Sequence, residues 1–219
     1  MKIRFIFLLF LVIFSLVDSA RSSAETDLKR LIEGLQNRYG RMKGLTADFL
    51  QVYQDRAGRS LREQGILILK RPGKMRWEYR EPKEKLFIID DKKVYFYVPS
   101  DHQVTITTLK EVNDPRVPFL FLLGRGNLQR DFAKIEISQT ESPTAAGHVV
   151  LELVPKRSVS NLKRIFAEVN EQTLQLRRLA FIDNTDARSD FLLSNYQENY
   201  QANDDLFTFT PPPGVRILK

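Results

Sequence analysis

The chain has 219 residues, of which 34 are Lys or Arg and 27 Asp or Glu, for a net charge of +7 with histidines neutral, and it contains no cysteine. The missing thiols exclude disulfides, thiolate metal sites and membrane attachment through an acylated cysteine of its own. The length fits one domain with room for a core or a cavity, and the mixing of basic with acidic residues along it reads as a solvated surface rather than a nucleic-acid tract.

Lys2 and Arg4 precede an uncharged apolar run from Phe5 to Val17. That run is too short to cross a bilayer as a helix, which takes about 20 apolar residues. Asp18 and Arg21 end it, and Ser22-Ser23-Ala24 puts small residues where a signal peptidase reads. The pattern is that of a cleavable secretory leader, so residues 1–24 are predicted to be removed and 25–219 to act as a single exported, soluble domain. An uncleaved anchor is the other reading of the same run. Export also takes the chain away from most nucleic acid.

From Thr26, an N-cap candidate, Leu28, Leu31, Ile32 and Leu35 recur at helical spacing, with Lys29, Arg30 and Glu33 opposite. This predicts an amphipathic helix ending near Gly40. At Leu45, Ala47 and Phe49 the period becomes two, and strands are expected at 63–71, 74–79, 86–89, 93–98 and 104–109. Met75, Trp77 and Tyr79 share one face of the second of these, with Arg76, Glu78 and Arg80 on the other. Lys70, Arg71, Lys74, Arg76 and Arg80 form the one local concentration of positive charge.

The strand pattern breaks at 113–124, where the apolar residues Phe119, Leu120, Phe121, Leu122 and Leu123 read as a short helix. It resumes at 133–138, 148–154, 165–169, 176–182, 190–196 and 207–209. About eleven strands joined by short turns predict a mainly β (α+β) fold. It would be an antiparallel meander curled into an incomplete barrel, its open side covered by the two helices. No repeat or linker argues for a second domain.

Little in this pattern points to catalysis. His102 and His148 lack carboxylate partners at metal-ligand spacing, so no metal site is expected, and nucleophile-elbow, phosphate-loop, dinucleotide and zinc-protease motifs are missing. Asp90-Asp91 and Asp204-Asp205 sit where turns are expected and are read as turn residues. The apolar strand faces fit either a filled core or a cavity for an apolar ligand, because both demand the same residue types.

Two segments are more specific. Residues 64–82, QGILILKRPGKMRWEYREP, and 86–106, LFIIDDKKVYFYVPSDHQVTI, match in order and spacing a G-x-L-x-x-K-R-P strand, a Trp-bearing strand, an aromatic hairpin and a Q-V-T strand. Together with KRSVSNLKRI at 156–165 and FTFTPPPGV at 207–215, they resemble the periplasmic outer-membrane lipoprotein carrier family (LolA-type) over nearly the whole chain. One departure is the turn Asp90-Asp91-Lys92, where the family usually has Asp-Gly; a left-handed residue there costs more with a Cβ.

The resemblance implies a periplasmic chaperone, not an enzyme, with no cofactor and acting as a monomer. Its cavity would accept the acyl chains of triacylated lipoproteins. An inner-membrane ATP-binding-cassette transporter would load it, and an outer-membrane receptor would unload it. Arg71 matches the arginine that in this family bonds the lid helices and holds the empty form closed. Met75, Trp77 and Tyr79, with Leu28, Leu31, Ile32 and Leu35 from one cover and residues 119–123 from the other, would line the acyl-chain cavity. Lys70, Lys74, Arg76 and Arg80 would steer an acidic partner to its mouth. The alternative reading is a periplasmic regulator that senses lipid or peptide with the same half-barrel fold.

Overall fold

The computed structural model describes residues 26–109, 111, 127–156 and 162–218. The leader, the segment Phe119 to Leu123 and part of the 156–165 motif lie outside the described residues. Helix α1 runs over 26–41 and turns one apolar face inward: Ile32, Leu35 and Tyr39 are buried, Leu28 and Leu31 half-buried. Among the described residues, no helix is long and apolar enough to cross a membrane.

Strands β1 (Gly44–Gln54), β2 (Ser60–Lys70), β3 (Lys74–Glu81), β4 (Lys85–Asp90), β5 (Lys93–Val98) and β6 (Gln103–Thr108) follow as a meander. The one-turn helix α2 (Leu128–Asp131) leads into β7 (Phe132–Ile137), β8 (His148–Pro155), β9 (Leu162–Asn170), β10 (Leu176–Asp183) and β11 (Arg188–Glu198). All join one sheet in the order β12-β6-β5-β4-β3-β2-β1-β11-β10-β9-β8-β7, where β12 is Arg216–Leu218. The fold is mostly β, a single open sheet whose edges are β7 and β12.

Three expectations need correction. Among the described residues the sheet has twelve strands rather than about eleven, and it is mixed, because β12 runs parallel to β6 with Ile217 opposite Val104. Residues 207–209 are not a strand: Asp204–Phe207 form a 3-10 turn. The alternation Phe-Thr-Phe has the period of a strand, but Phe207 is a cover instead. It packs with Ala202, Leu206 and Phe209 on Ile68, Ile88, Ile66, Leu86 and Tyr95. The chain after β11 is thus a strap over one face of β2–β5, while α1 lies on the other.

That two-sided cover explains the composition of β4. Phe87 and Ile89 belong to the cluster beneath α1 and Ile88 to the one beneath the strap, so three successive residues are buried. In β3 the alternation is simpler: Met75, Trp77 and Tyr79 face α1, and Lys74, Arg76 and Glu78 are half-exposed.

The spacing of the carrier-like motif also has a local cause here. A Cβ on Gly65 would stand 1.9 Å from the Glu78 carbonyl oxygen, so β2 and β3 can approach at their bulge only with glycine. At the β4–β5 turn, Asp91 takes φ 89°, the left-handed conformation that glycine would adopt freely. Asp90 stabilises it by accepting from Lys92 N at 3.0 Å and Lys93 N at 2.7 Å.

Candidate functional site

The face of the sheet under α1 is a continuous apolar floor. Its centre is aromatic: Trp77 lies edge-on to Phe49 at 4.6 Å between centroids and 5.1 Å from Phe191, and Tyr79 packs against Phe49 at 4.8 Å. The register brings these rings together, since Trp77 sits opposite Leu67 of β2, and β2 pairs Gly65 with Phe49 of β1. Phe49 in turn lies opposite Leu193 of β11. Met75 and Trp77 are fully buried and Tyr79 is 3% exposed.

The floor ends in a polar margin. Tyr79 Oη donates to Gln51 Oε1 at 2.6 Å, and beside it Lys85 pairs with the buried Glu63. Burial of Gln51 and Glu63 is tolerated because each meets a partner. Neither was marked in the sequence, where Gln51 and Glu63 look like ordinary strand polars.

The cover is held mainly at its C-terminal end. Leu176 N–H donates to Tyr39 Oη at 2.7 Å, and Tyr196 Oη donates to the Leu176 carbonyl, so α1 is tied to β10 and β11 through two buried phenols. Burial pushes the Tyr39 phenol up to about 12 against the opposing bond from Leu176, and burial likewise raises Tyr196 well above the ordinary tyrosine value. Arg38 pairs with Glu198, and Gln36 accepts from Leu128 N at 2.8 Å, which fixes α2 to α1. Tyr39, Arg38, Glu198 and Tyr196 were missed in the sequence; nothing local marks residues that meet across 160 positions.

Arg71 is placed at the same end. Its Nη2 donates to the Tyr39 carbonyl at 2.7 Å, and its backbone N–H to the Lys43 carbonyl at 2.9 Å. Burial lowers its guanidinium below the usual arginine value. Of the other sequence-marked cations, Lys70 donates to the Ala202 carbonyl at 2.9 Å and pairs with Asp204 at 3.0 Å. Lys74 meets Asp204 at 2.5 Å, and Arg76 donates to the Leu206 carbonyl at 3.0 Å. These three clamp the strap. Hydrogen bonds from Lys74 and Lys70 hold the Asp204 carboxyl below the usual carboxylate range. Arg80 is exposed, 3.8 Å from Glu78.

The other end of α1 is looser. Leu28 and Leu31 border an open groove of about 490 Å³ with Gly34, Ile137, Val149 and Leu174. The structure therefore brings together Met75, Trp77, Tyr79, Ile32 and Leu35 in one cluster, with Leu28 and Leu31 packed at its margin.

A model of the outer membrane lipoprotein carrier protein LolA matches residues 40–210. The outer-membrane lipoprotein carrier protein of Nitrosomonas europaea is 30% identical over 220 residues, 99% of this chain and 98% of the relative. That of Salmonella paratyphi A is 31% identical over 187 residues, 85% of this chain and 86% of the relative. Among solved structures, an uncharacterised conserved protein of Thermus thermophilus shares the fold at TM-score 0.50 and 12% identity, over 90% of this chain and 98% of that one.

Proposed function

The chain belongs to the outer membrane lipoprotein carrier protein family, and on that premise we propose that it shields the acyl chains of triacylated lipoproteins between two membranes. In this reading an inner-membrane ATP-binding-cassette transporter loads the carrier in the periplasm, after removal of residues 1–24, and an outer-membrane receptor unloads it. The protein works as a monomeric carrier rather than a catalyst. The observation that carries the reading is the apolar floor around Trp77, Phe49 and Phe191 beneath a helix tied down chiefly at one end.

The sheet then serves as an incomplete barrel, α1 and the segment 119–123 as its covers. Each acyl methylene buried contributes about 0.8 kcal/mol, so three fully enclosed chains would be held by tens of kcal/mol and could not be handed on. A cover that must be displaced offsets part of that affinity. α1 pivots at its Tyr39 end, where the chain continues directly into β1, and Leu28, Leu31, Ile32 and Leu35 lift from the floor to make room. Arg71 stiffens the pivot through the Tyr39 carbonyl and so keeps the empty carrier closed. The basic cluster steers an acidic partner through Lys70 and Lys74, which share Asp204, and through Arg76 and Arg80, which share Glu78, so that its charge is only partly balanced.

Native mass spectrometry tests this directly. Residues 25–219 are incubated with energised inner membranes bearing a competent transporter and a labelled triacylated lipoprotein. The expected product is a soluble one-to-one complex whose yield changes on Arg71→Leu. A folded carrier that captures no lipoprotein from a competent donor contradicts the proposal.

A further inference from the structure

The end of α1, the β2–β3 turn and the first residues of the strap enclose a second open groove of about 500 Å³, at the end of α1 away from the first groove. Its lining, among the described residues, contains Arg41, Lys43, Lys70 and Arg71, and not one Asp or Glu. The walls are tied to each other: Arg71 N–H donates to the Lys43 carbonyl at 2.9 Å, Asn199 N–H to the Gly44 carbonyl at 2.8 Å, and Lys70 Nζ to the Ala202 carbonyl at 2.9 Å. The cations are therefore gathered on a fixed frame rather than scattered on a flexible surface.

The charge there exceeds what the fold uses. A helix C-terminus favours cations, which accounts for Arg71 on the Tyr39 carbonyl. Asp204 answers Lys70, and it also carries Lys74. Arg41 and Lys43 are exposed and meet no carboxylate among the described residues. Arg71 is part-buried without a carboxylate partner among them, and its Nε finds no acceptor. A desolvated cation lacking a counter-ion raises the local potential and favours an incoming anion. Tyr200, 37% exposed, stands at the groove's lip, and tyrosine rings settle at the headgroup level of a bilayer.

We propose that this groove binds the phosphodiester headgroup of an anionic phospholipid and so holds the protein transiently at a membrane surface. Concavity and the guanidinium forks suit one compact phosphate better than a flat acidic protein patch. The contact is reversible and salt-sensitive, because it rests on a few exposed cations. It goes beyond the carrier reading and needs no lipoprotein cargo, so its failure leaves that reading intact.

The test is co-sedimentation of residues 25–219 with vesicles of phosphatidylcholine alone or mixed with phosphatidylglycerol, at low and physiological salt. Binding is expected only with phosphatidylglycerol. Arg41→Gln/Lys43→Gln should weaken it roughly 10- to 30-fold. Arg56→Gln/Arg62→Gln, at the hairpin on the opposite end of β1 and β2, should change it less than about twofold. Both doubles replace exposed side chains, and matching thermal unfolding curves would verify their folding. Equal losses in the two doubles would reduce the effect to net charge and overturn the site. Absence of any vesicle binding would do the same. Inorganic phosphate shifting the groove's amide resonances while vesicles stay unbound would assign the groove to the free ion and overturn the lipid source.

Discussion

The two ends of α1 are held by different physics. At the C-terminal end, Tyr39 accepts from Leu176 N–H at 2.7 Å through its hydroxyl and from Arg71 at 2.7 Å through its carbonyl, with Arg38 on Glu198 alongside. At the N-terminal end, Leu28 and Leu31 rest half-buried beside an open groove, and the ion pair of Asp27 with Arg30 at 3.3 Å lies within the helix and is exposed. Hydrogen bonds are directional and are lost over a short displacement, whereas apolar contacts slide and can be exchanged for other apolar surface. A helix built this way keeps its position at one end while the other end can trade its contacts for other apolar surface.

Removing the shared floor should have the largest effect and abolish the difference between the ends. Trp77→Ala is expected to cost about 3–5 kcal/mol in urea unfolding, with faster amide exchange along all of α1. If exchange rose at one end alone, the floor would not be common to both.

Alkaline pH attacks only the C-terminal end. The Tyr39 phenol is raised from the ordinary tyrosine value of 10.0 to about 12, so its neutral form is favoured by folding. The contribution is complete below pH 10 and is lost as pH rises toward 12, by about 2–3 kcal/mol from this group. Urea unfolding at about pH 9 and about pH 11.5, on either side of the ordinary tyrosine value, should show the loss, and Tyr39→Phe should diminish it. An unchanged pH dependence in the Phe variant would mean that the phenol is not what ties the helix.

Two smaller changes separate the ends. Arg71→Leu is expected to cost about 1–2 kcal/mol, with exchange rising chiefly over 38–43. Leu31→Ala should cost about 1 kcal/mol or less, since the side chain is only half-buried, and raise exchange over 26–34 without touching Tyr39. The reverse distribution in either variant would contradict the division.

Much of this arrangement could be read in the sequence, and the limits are instructive. Leu28, Leu31, Ile32 and Leu35 announced α1, and Met75, Trp77 and Tyr79 announced a shared strand face, because periods of 3.6 and two are local signals. The opposite mistake came from the same rule: Phe207-Thr208-Phe209 alternates like a strand, yet its residues bond within a turn, Thr208 N–H to Asp205 carbonyl at 3.2 Å, and serve as cover. β12 escaped notice because three residues carry no period. Lys70, Lys74 and Arg76 looked like a free basic patch, since the strap residues that hold them, Ala202, Asp204 and Leu206, lie 130 or more positions away. The tie at the C-terminal end of α1 was invisible for the same reason: Arg38, Tyr39, Tyr196 and Glu198 become a unit only when β11 pairs with β1.

The chain contains a single tryptophan, and it is the fully buried centre of the floor. A triacylated lipopeptide with bromine atoms on its acyl chains would therefore report contact with Trp77 alone, through quenching of its fluorescence. Saturable quenching at one lipopeptide per protein is expected, with none from the same lipopeptide lacking bromine. Stoichiometric binding by mass with Trp77 emission unquenched would place the acyl chains elsewhere and rule out the floor around Trp77 as their site.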